Sequence, residues 1–270
     1  MLITIDVEDH TIPPATPRFA EALAPLLETL SRHSIRATFF VVGELVDTWK
    51  GQLRELADAG HEIGLHGYTH QHLGALGEQA FADEVARGVD VLGELLGTPP
   101  AGFRAPFFSM TRATPWAPGI LQSAGFAYSS SVLPAWNPQA GFPGAPRSPF
   151  RWECGLLELP APVLGLGKFA LPVLGGAYVR LVPGFVVRLA ARSASADSGH
   201  WSYSHPYDFD ADEPFFRRPG QSWVVAKLLF ARRRQMLERV ARLAPPNSGT
   251  LAEFAASLAL GAPAPVFVSR

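Results

Sequence analysis

Short apolar segments alternate with amphipathic stretches along the first half of the chain, and this alternation restricts the fold more than any other feature. Residues 2–5 read as a short buried strand that runs straight into acids. Leu23, Leu26, Leu27 and Leu30 recur at helical spacing inside residues 18–33, which predicts a helix. Residues 36–42 are β-branched and aromatic, a strand ended by Gly43. A helix over 44–59, closed by Gly60, and a short strand over 61–65 follow. Residues 78–96 carry Phe81, Val85, Val89 and Leu92 on one helical face, stopped by Gly97 and Pro99-Pro100. Phe103, Phe107 and Phe108 surround another strand end, a helix ends at 120–124, and 126–130 is again a strand. Strand–helix–strand order with short links predicts parallel strands joined by crossover helices. The pattern blurs over 134–200, which is rich in Pro and Gly. It resumes with a strand at 201–204 and a long basic helix at 221–243, with Arg232, Arg233 and Arg234 as a solvated face.

Composition closes off several alternatives. Hydrophobic residues are 47% and charged residues 17% of the 270, which excludes a disordered chain. The single cysteine, Cys154, excludes a disulfide framework and a cysteine-rich metal cluster. Lys and Arg number 23 against 24 Asp and Glu, so no global basic field invites nucleic acid. Asp6, Glu8 and Asp9 follow the first apolar residues at once, a poor secretory leader, so a cytoplasmic location is the expectation. The most apolar stretch, 156–189, contains Glu158, Lys168, Arg180, Arg188 and prolines, too many interruptions for a span of ~18 uncharged residues. It reads as core and loop; a surface in peripheral contact with lipid is the sharper alternative. With no repeat or linker visible, one domain over 1–270 is expected, with a motif core over 2–210 and a helical part over 211–270. The sequence leaves oligomeric state open.

Four polar clusters fall at predicted strand ends, where α/β barrels place catalytic groups. In Asp6-Val7-Glu8-Asp9, three acids within four residues repel one another unless a cation neutralises them. His66 and His70 stand four apart, so one helical turn after the strand aims both at one point. Two histidines and an acid from another strand end suit a three-ligand site with an open position. Arg104 lies among apolar residues in Phe103-Arg104-Ala105-Pro106-Phe107 and needs a carboxylate if buried; Asp6 is the natural partner. His205 ends an aromatic strand, a place for a general acid near neutral pH.

Taken in order, these clusters resemble the NodB-homology polysaccharide deacetylases, a carbohydrate esterase family. The acid motif is similar to Thr4-Ile5-Asp6-Val7-Glu8-Asp9, the H-x-x-x-H motif to His66 and His70, the R-x-P-aromatic motif to Arg104–Phe107, and the late histidine motif to Tyr203-Ser204-His205. The D-V-E-D form resembles a subgroup linked with exopolysaccharide synthesis. The resemblance implies a single-domain distorted (β/α) barrel of about seven parallel strands. It implies one divalent transition metal, Zn²⁺ foremost with Co²⁺ or Ni²⁺ as alternatives, held by His66, His70 and either Glu8 or Asp9. Asp6 would be the general base, Arg104 would hold it ionised, the Phe107 N–H would receive the oxyanion, and His205 would be the general acid. Tyr178 and Trp201, with Tyr68, Trp136 and Tyr207, are candidates for stacking on sugar faces. The family places an aspartate where this chain has Ser129; Asp208 is the nearby acid that could substitute in supporting His205. The implied activity is removal of the N-acetyl group from N-acetylhexosamine units of a glycan or its lipid-linked precursor. The alternatives are an amidohydrolase acting on a cyclic amide or ureide, and a catalytically silent glycan-binding protein.

Overall fold

The computed structural model of the chain describes residues 1–10, 18–137, 140–165, 170–192, 200–260 and 264–268. Its strands are β1 (Leu2–Val7), β2 (Thr38–Val41), β3 (Glu62–Leu65), β4 (Gly102–Phe103), β5 (Tyr128–Ser129), β6 (Phe150–Trp152), β7 (Leu157–Glu158), β8 (Trp201–Ser204) and β9 (Val266–Phe267). The helices are α1 (Phe19–Arg32), α2 (Lys50–Asp58), α3 (Leu73–Leu76), α4 (Glu78–Leu96), α5 (Ala117–Ser123), α6 (Gly176–Leu181), α7 (Gly184–Arg192), α8 (Pro206–Phe209), α9 (Trp223–Phe230), α10 (Met236–Leu243) and α11 (Leu251–Leu260).

All strands join one sheet in the order β8-β1-β2-β3-β4-β5-β7-β6-β9. Every neighbouring pair from β8 to β7 is parallel, giving the seven parallel strands expected. β6 then runs antiparallel to β7, and β9 closes that edge parallel to β6. β1 lies between β2 and β8, with Ile5 beside both Phe39 and Ser204. Parallel strands deliver their carboxyl ends to one rim of a sheet, and that rim collects the residues after β1, β3, β4, β5 and β8.

The helices lie where apolar periodicity places them. α1 buries Phe19, Leu23, Leu26 and Leu30, and α4 buries Phe81, Val85, Leu92 and Leu95. Gly88 lets α4 approach β3 closely, since a Cβ there would come within 2.5 Å of the Leu65 side chain.

Three expectations need correction. The helix predicted over 44–59 begins only at Lys50, because the chain first closes a tighter 3-10 turn over Gly43–Leu45, with Leu45 N–H bonded to the Val42 carbonyl at 3.0 Å and Val46 N–H to the Gly43 carbonyl at 3.2 Å. The helix predicted over 221–243 breaks into α9 and α10. Arg232 between them adopts φ +58°, and Arg233 is not solvated but buried against Glu213 at 2.6 Å. The part after residue 210 is not wholly helical, since β9 returns to the sheet beside β6. The apolar stretch 156–189 is chiefly core: Leu156, Leu157, Leu159, Val173, Leu174, Val179 and Val187 are all buried.

Phe81 is buried between the rings of Phe103 and Trp116, with centroids at 5.7 and 5.3 Å. Phe81→Ala is expected to lower the unfolding free energy by about 3–5 kcal/mol, read from urea denaturation.

Candidate active site

Arg104 leaves the end of β4 fully buried, and its guanidinium satisfies itself on several strands at once. Nη1 donates to Asp6 Oδ1 at 2.6 Å and to Thr4 Oγ1 at 2.7 Å, Nε to the Ser130 carbonyl at 3.2 Å, and Nη2 to Ser130 Oγ at 3.1 Å. Its plane lies 4.2 Å from the Phe40 ring centroid and 4.3 Å from that of Trp201. A buried guanidinium needs this many acceptors because an unpaired one is costly. Trp201 is therefore not available to a sugar: it is 1% exposed, and its ring packs against Arg104. This corrects its assignment to substrate binding.

The Arg104 carbonyl has a second task. It faces His66 Nδ1 at 3.0 Å. As a carbonyl can only accept, Nδ1 carries the proton and the Nε2 lone pair is left for a ligand. His70 reaches the same point by a loop, not by the helical turn that the four-residue spacing suggested. Gly67 turns the chain at φ +68°, and His70 itself sits at φ +56°. The loop is tied from behind by Glu84 of α4, whose carboxylate accepts from Tyr68 N–H at 3.2 Å, from Thr69 N–H at 3.4 Å and from the Thr69 hydroxyl. Glu84 escaped the sequence reading, although an acid facing inward on an amphipathic helix was its visible signal.

The carboxylate that meets the two imidazoles is Glu8, the first residue past β1, where the chain turns with Glu8 N–H bonded to the Asp6 carbonyl at 3.1 Å. Ligand atoms of Glu8, His66 and His70 lie within 4.8 Å of one another. Asp9 is exposed at the cleft and lies outside this cluster. His70 Nε2 is buried 2.6 Å from Glu8 Oε2, yet at an angle that makes no hydrogen bond. A buried imidazole nitrogen crowded against a carboxylate oxygen, beside a second imidazole with its Nε2 free, fits a divalent cation. Burial opposes the charge on Glu8, but His205, His70 and His66 outweigh it and hold the carboxyl well below the usual range. Burial pushes His66 down to about 4, keeping it neutral as a ligand must be.

His205 follows β8 and caps α8. Its N–H donates to Asp208 Oδ2 at 2.9 Å, and its Nδ1 lies 3.1 Å from the same oxygen, leaving Nε2 toward the cleft, 3.5 Å from Glu8 Oε1. Asp208 is itself buried against Arg180 Nε at 2.9 Å. Burial would lower the His205 pKa, but Glu8, Asp208 and Asp6 outweigh it and raise it to about 9. The acid beside His205 is thus Asp208, while Ser129 bonds to Ser131 Oγ at 2.8 Å. Tyr207 has both ring faces covered, stacking on His205 at 4.7 Å and on His10 at 4.0 Å, which corrects its place among the sugar-stacking candidates. His10, Arg180 and Glu213 also went unrecognised in the sequence, because each acts through a partner far along the chain: His10 pairs with Glu213 at 2.8 Å.

Asp6, Glu8, His66, His70 and His205 open on one cleft of about 560 Å³, whose walls include Ala105, Phe107 and Tyr178. Phe107, at φ +59°, lies against His70 with ring centroids 4.9 Å apart, and Phe108 follows at φ +52°. Three non-glycine residues with positive φ at one cleft are the kind of strain that gathers at functional sites. Tyr178 is partly exposed there, whereas Tyr68 is covered by Arg87 at 4.0 Å.

A parallel sheet thus carries acids, two histidines and an arginine at its carboxyl rim, and comparison with known proteins shows what this arrangement is similar to. Residues 3–128 match the profile of the polysaccharide deacetylase family, and residues 130–254 match a domain of unknown function, DUF3473. Over residues 3–128 the chain is thus similar to the polysaccharide deacetylase family, in keeping with the NodB-homology resemblance of its motifs. It is 31% identical over 108 residues to a peptidoglycan deacetylase of Helicobacter pylori, a match covering 40% of this chain and 36% of that one. The matches span about a third of the length of the curated relatives. A candidate polysaccharide deacetylase of Mycobacterium smegmatis shares the fold, with TM-score 0.63 and 22% identity over 100% of this chain and 93% of that one. A pseudoenzyme of carbohydrate esterase family 4 from Bacillus anthracis does so with TM-score 0.51 and 14% identity, covering 94% of this chain and 64% of that one.

Two outcomes are expected. Arg104→Gln leaves Asp6 buried without its cation and should cost about 3–5 kcal/mol of stability at neutral pH by urea titration. A histidine with raised pKa stabilises the fold most below its ordinary value of 6.5, and that contribution disappears as pH rises through about 9. The stability advantage of the metal-free wild type over His205→Gln should therefore shrink across that interval, measured by thermal melting with chelator present.

Proposed function

We propose that this chain is a metal-dependent deacetylase that removes the N-acetyl group from N-acetylhexosamine units of a glycan. One observation carries the reading: a His/His/Glu cluster, an arginine-held carboxylate and an aspartate-held histidine face the same cleft. Fold alone does not argue activity, since a pseudoenzyme shares it. The named relatives that act on peptidoglycan support the substrate class.

Glu8, His66 and His70 would hold the cation, with Zn²⁺ the first choice and Co²⁺ or Ni²⁺ the alternatives. Once bound, the cation would supply Lewis acidity to water and to the acetyl carbonyl. Asp6 acts as general base: Arg104 grips Oδ1, so the proton taken from attacking water goes to Oδ2. Asp208 fixes the His205 ring through Nδ1 and leaves Nε2 to protonate the departing amine. The attacking water adds to the acetamide carbon, the C–N bond breaks, and acetate and a free amine leave. Phe107 lines the cleft, and its backbone N–H would receive the developing oxyanion. Tyr178 offers a partly exposed aromatic face to a sugar ring.

The test is acetate release from N-acetylglucosamine oligomers and peptidoglycan fragments, with elemental analysis of the same samples. Wild type should carry about one divalent metal per chain and lose turnover with chelator. His66→Ala and His70→Ala should lose metal and turnover together. Asp6→Asn should keep the metal and lose about 10²–10⁴ in kcat. Turnover that survives complete metal removal overturns the reading. Ammonia release from cyclic amides with inert sugars would favour the amidohydrolase alternative.

A further inference from the structure

Residues 214–235 contain six cations and no acid, in a chain whose net charge is −1. At their centre lies α9, with the sequence WVVAKLLF, whose one fully buried residue is Ala226. Trp223 is 59%, Val224 68%, Val225 48% and Leu228 44% exposed, and Phe215, also half-exposed, stacks on Trp223 at 6.0 Å. A soluble helix normally turns such side chains inward; here they form one outward apolar face. Arg217 stands 5.2 Å over the Trp223 ring, Lys227 is exposed on the helix itself, and Arg232 and Arg234 are exposed just past its end.

This face is held firmly in place. Ser222 caps the start of α9 by accepting from Val225 N–H at 3.2 Å. At the other end Arg180 Nη1 donates to the Ala231 carbonyl at 2.6 Å, and Arg233 Nε donates to the Leu229 carbonyl at 3.0 Å. The helix also continues into the site, because Leu229 and Phe230 line the cleft that contains Glu8 and His205.

We propose that the outer face of α9 with Phe215 is a docking surface for a bilayer carrying anionic headgroups. The chemistry selects this occupant. Trp and Phe suit the headgroup level of a bilayer, aliphatic tips suit the acyl boundary, and a rim of Arg and Lys suits anionic phosphates. A stretch without a single acid offers a cationic protein partner nothing to pair with. Docking in this pose places the mouth of the cleft beside the membrane surface. The proposal does not depend on the chemistry assigned to the cleft.

The test is flotation of the full chain with vesicles of phosphatidylcholine alone and of phosphatidylcholine mixed with phosphatidylglycerol. The chain should float with the anionic vesicles, float weakly with the neutral ones, and lose binding as salt is raised. Trp223→Ser with Val224→Ser should lower the partition coefficient at least about tenfold. Arg217→Glu with Lys227→Glu should do the same, at about fivefold or more per cation removed. Both pairs are exposed, so the melting temperature and circular dichroism should not change. Failure of the wild type to float with anionic vesicles at low salt overturns the proposal, as does equal binding to both vesicle types or undiminished binding by the variants. Self-association that the same substitutions abolish, without vesicle binding, overturns it in favour of a contact between copies of the chain.

Discussion

The buried guanidinium of Arg104 is the interaction on which the site depends. It comes from the end of β4, bonds Thr4 and Asp6 of β1 and Ser130 after β5, and lies between Phe40 of β2 and Trp201 of β8. Its own carbonyl orients His66 after β3. Six strands therefore report to one residue, and two of its bonds, those to Asp6 and His66, orient groups that face the cleft. Such an arrangement is stable only when every donor is satisfied, so the sheet rim has little freedom to relax.

Around this anchor the titratable groups are driven apart. His66 is buried and kept neutral, Glu8 is kept ionised by the imidazoles around it, and His205 is kept charged by Glu8 and Asp208. Groups of similar intrinsic character thereby take opposite roles within one cleft, which is what a hydrolytic site needs if acid and base are to coexist at neutral pH. The family resemblance implied an acid at position 129 as the support of His205. The same electrostatic task falls here to Asp208, one turn beyond the histidine and neutralised from behind by Arg180.

Arg180 also links the site to the outer surface. One edge of its guanidinium meets Asp208, while Nη1 holds the last carbonyls of α9. The helix that exposes Trp223 and Leu228 to solvent is thus built on the same side chain that backs the histidine. The fold subordinates local helix propensity to this bond: residues 221–243 have a helical pattern throughout, yet the chain breaks after Ala231, whose carbonyl Arg180 takes, and Arg233 turns inward to Glu213.

The sequence by itself determined the strand and helix alternation of the first half and the rim where chemistry would collect, because apolar periodicity and glycine stops are local properties of the chain; the count of seven parallel strands came from the family resemblance. It also marked Asp6, His66, His70, Arg104 and His205, since charged residues at the ends of buried strands have few purely structural reasons to be there. Tertiary structure alone brought Glu8 rather than Asp9 within reach of both imidazoles, because the chain leaves β1 at Val7 and the placement of the next residues depends on distant partners. It alone buried Trp201 under Arg104, covered both faces of Tyr207, tied Glu84 behind the loop that carries His70 and set Arg180 against Asp208. Most of these depend on partners between 16 and about 200 positions apart in the chain, separations at which no local pattern carries information.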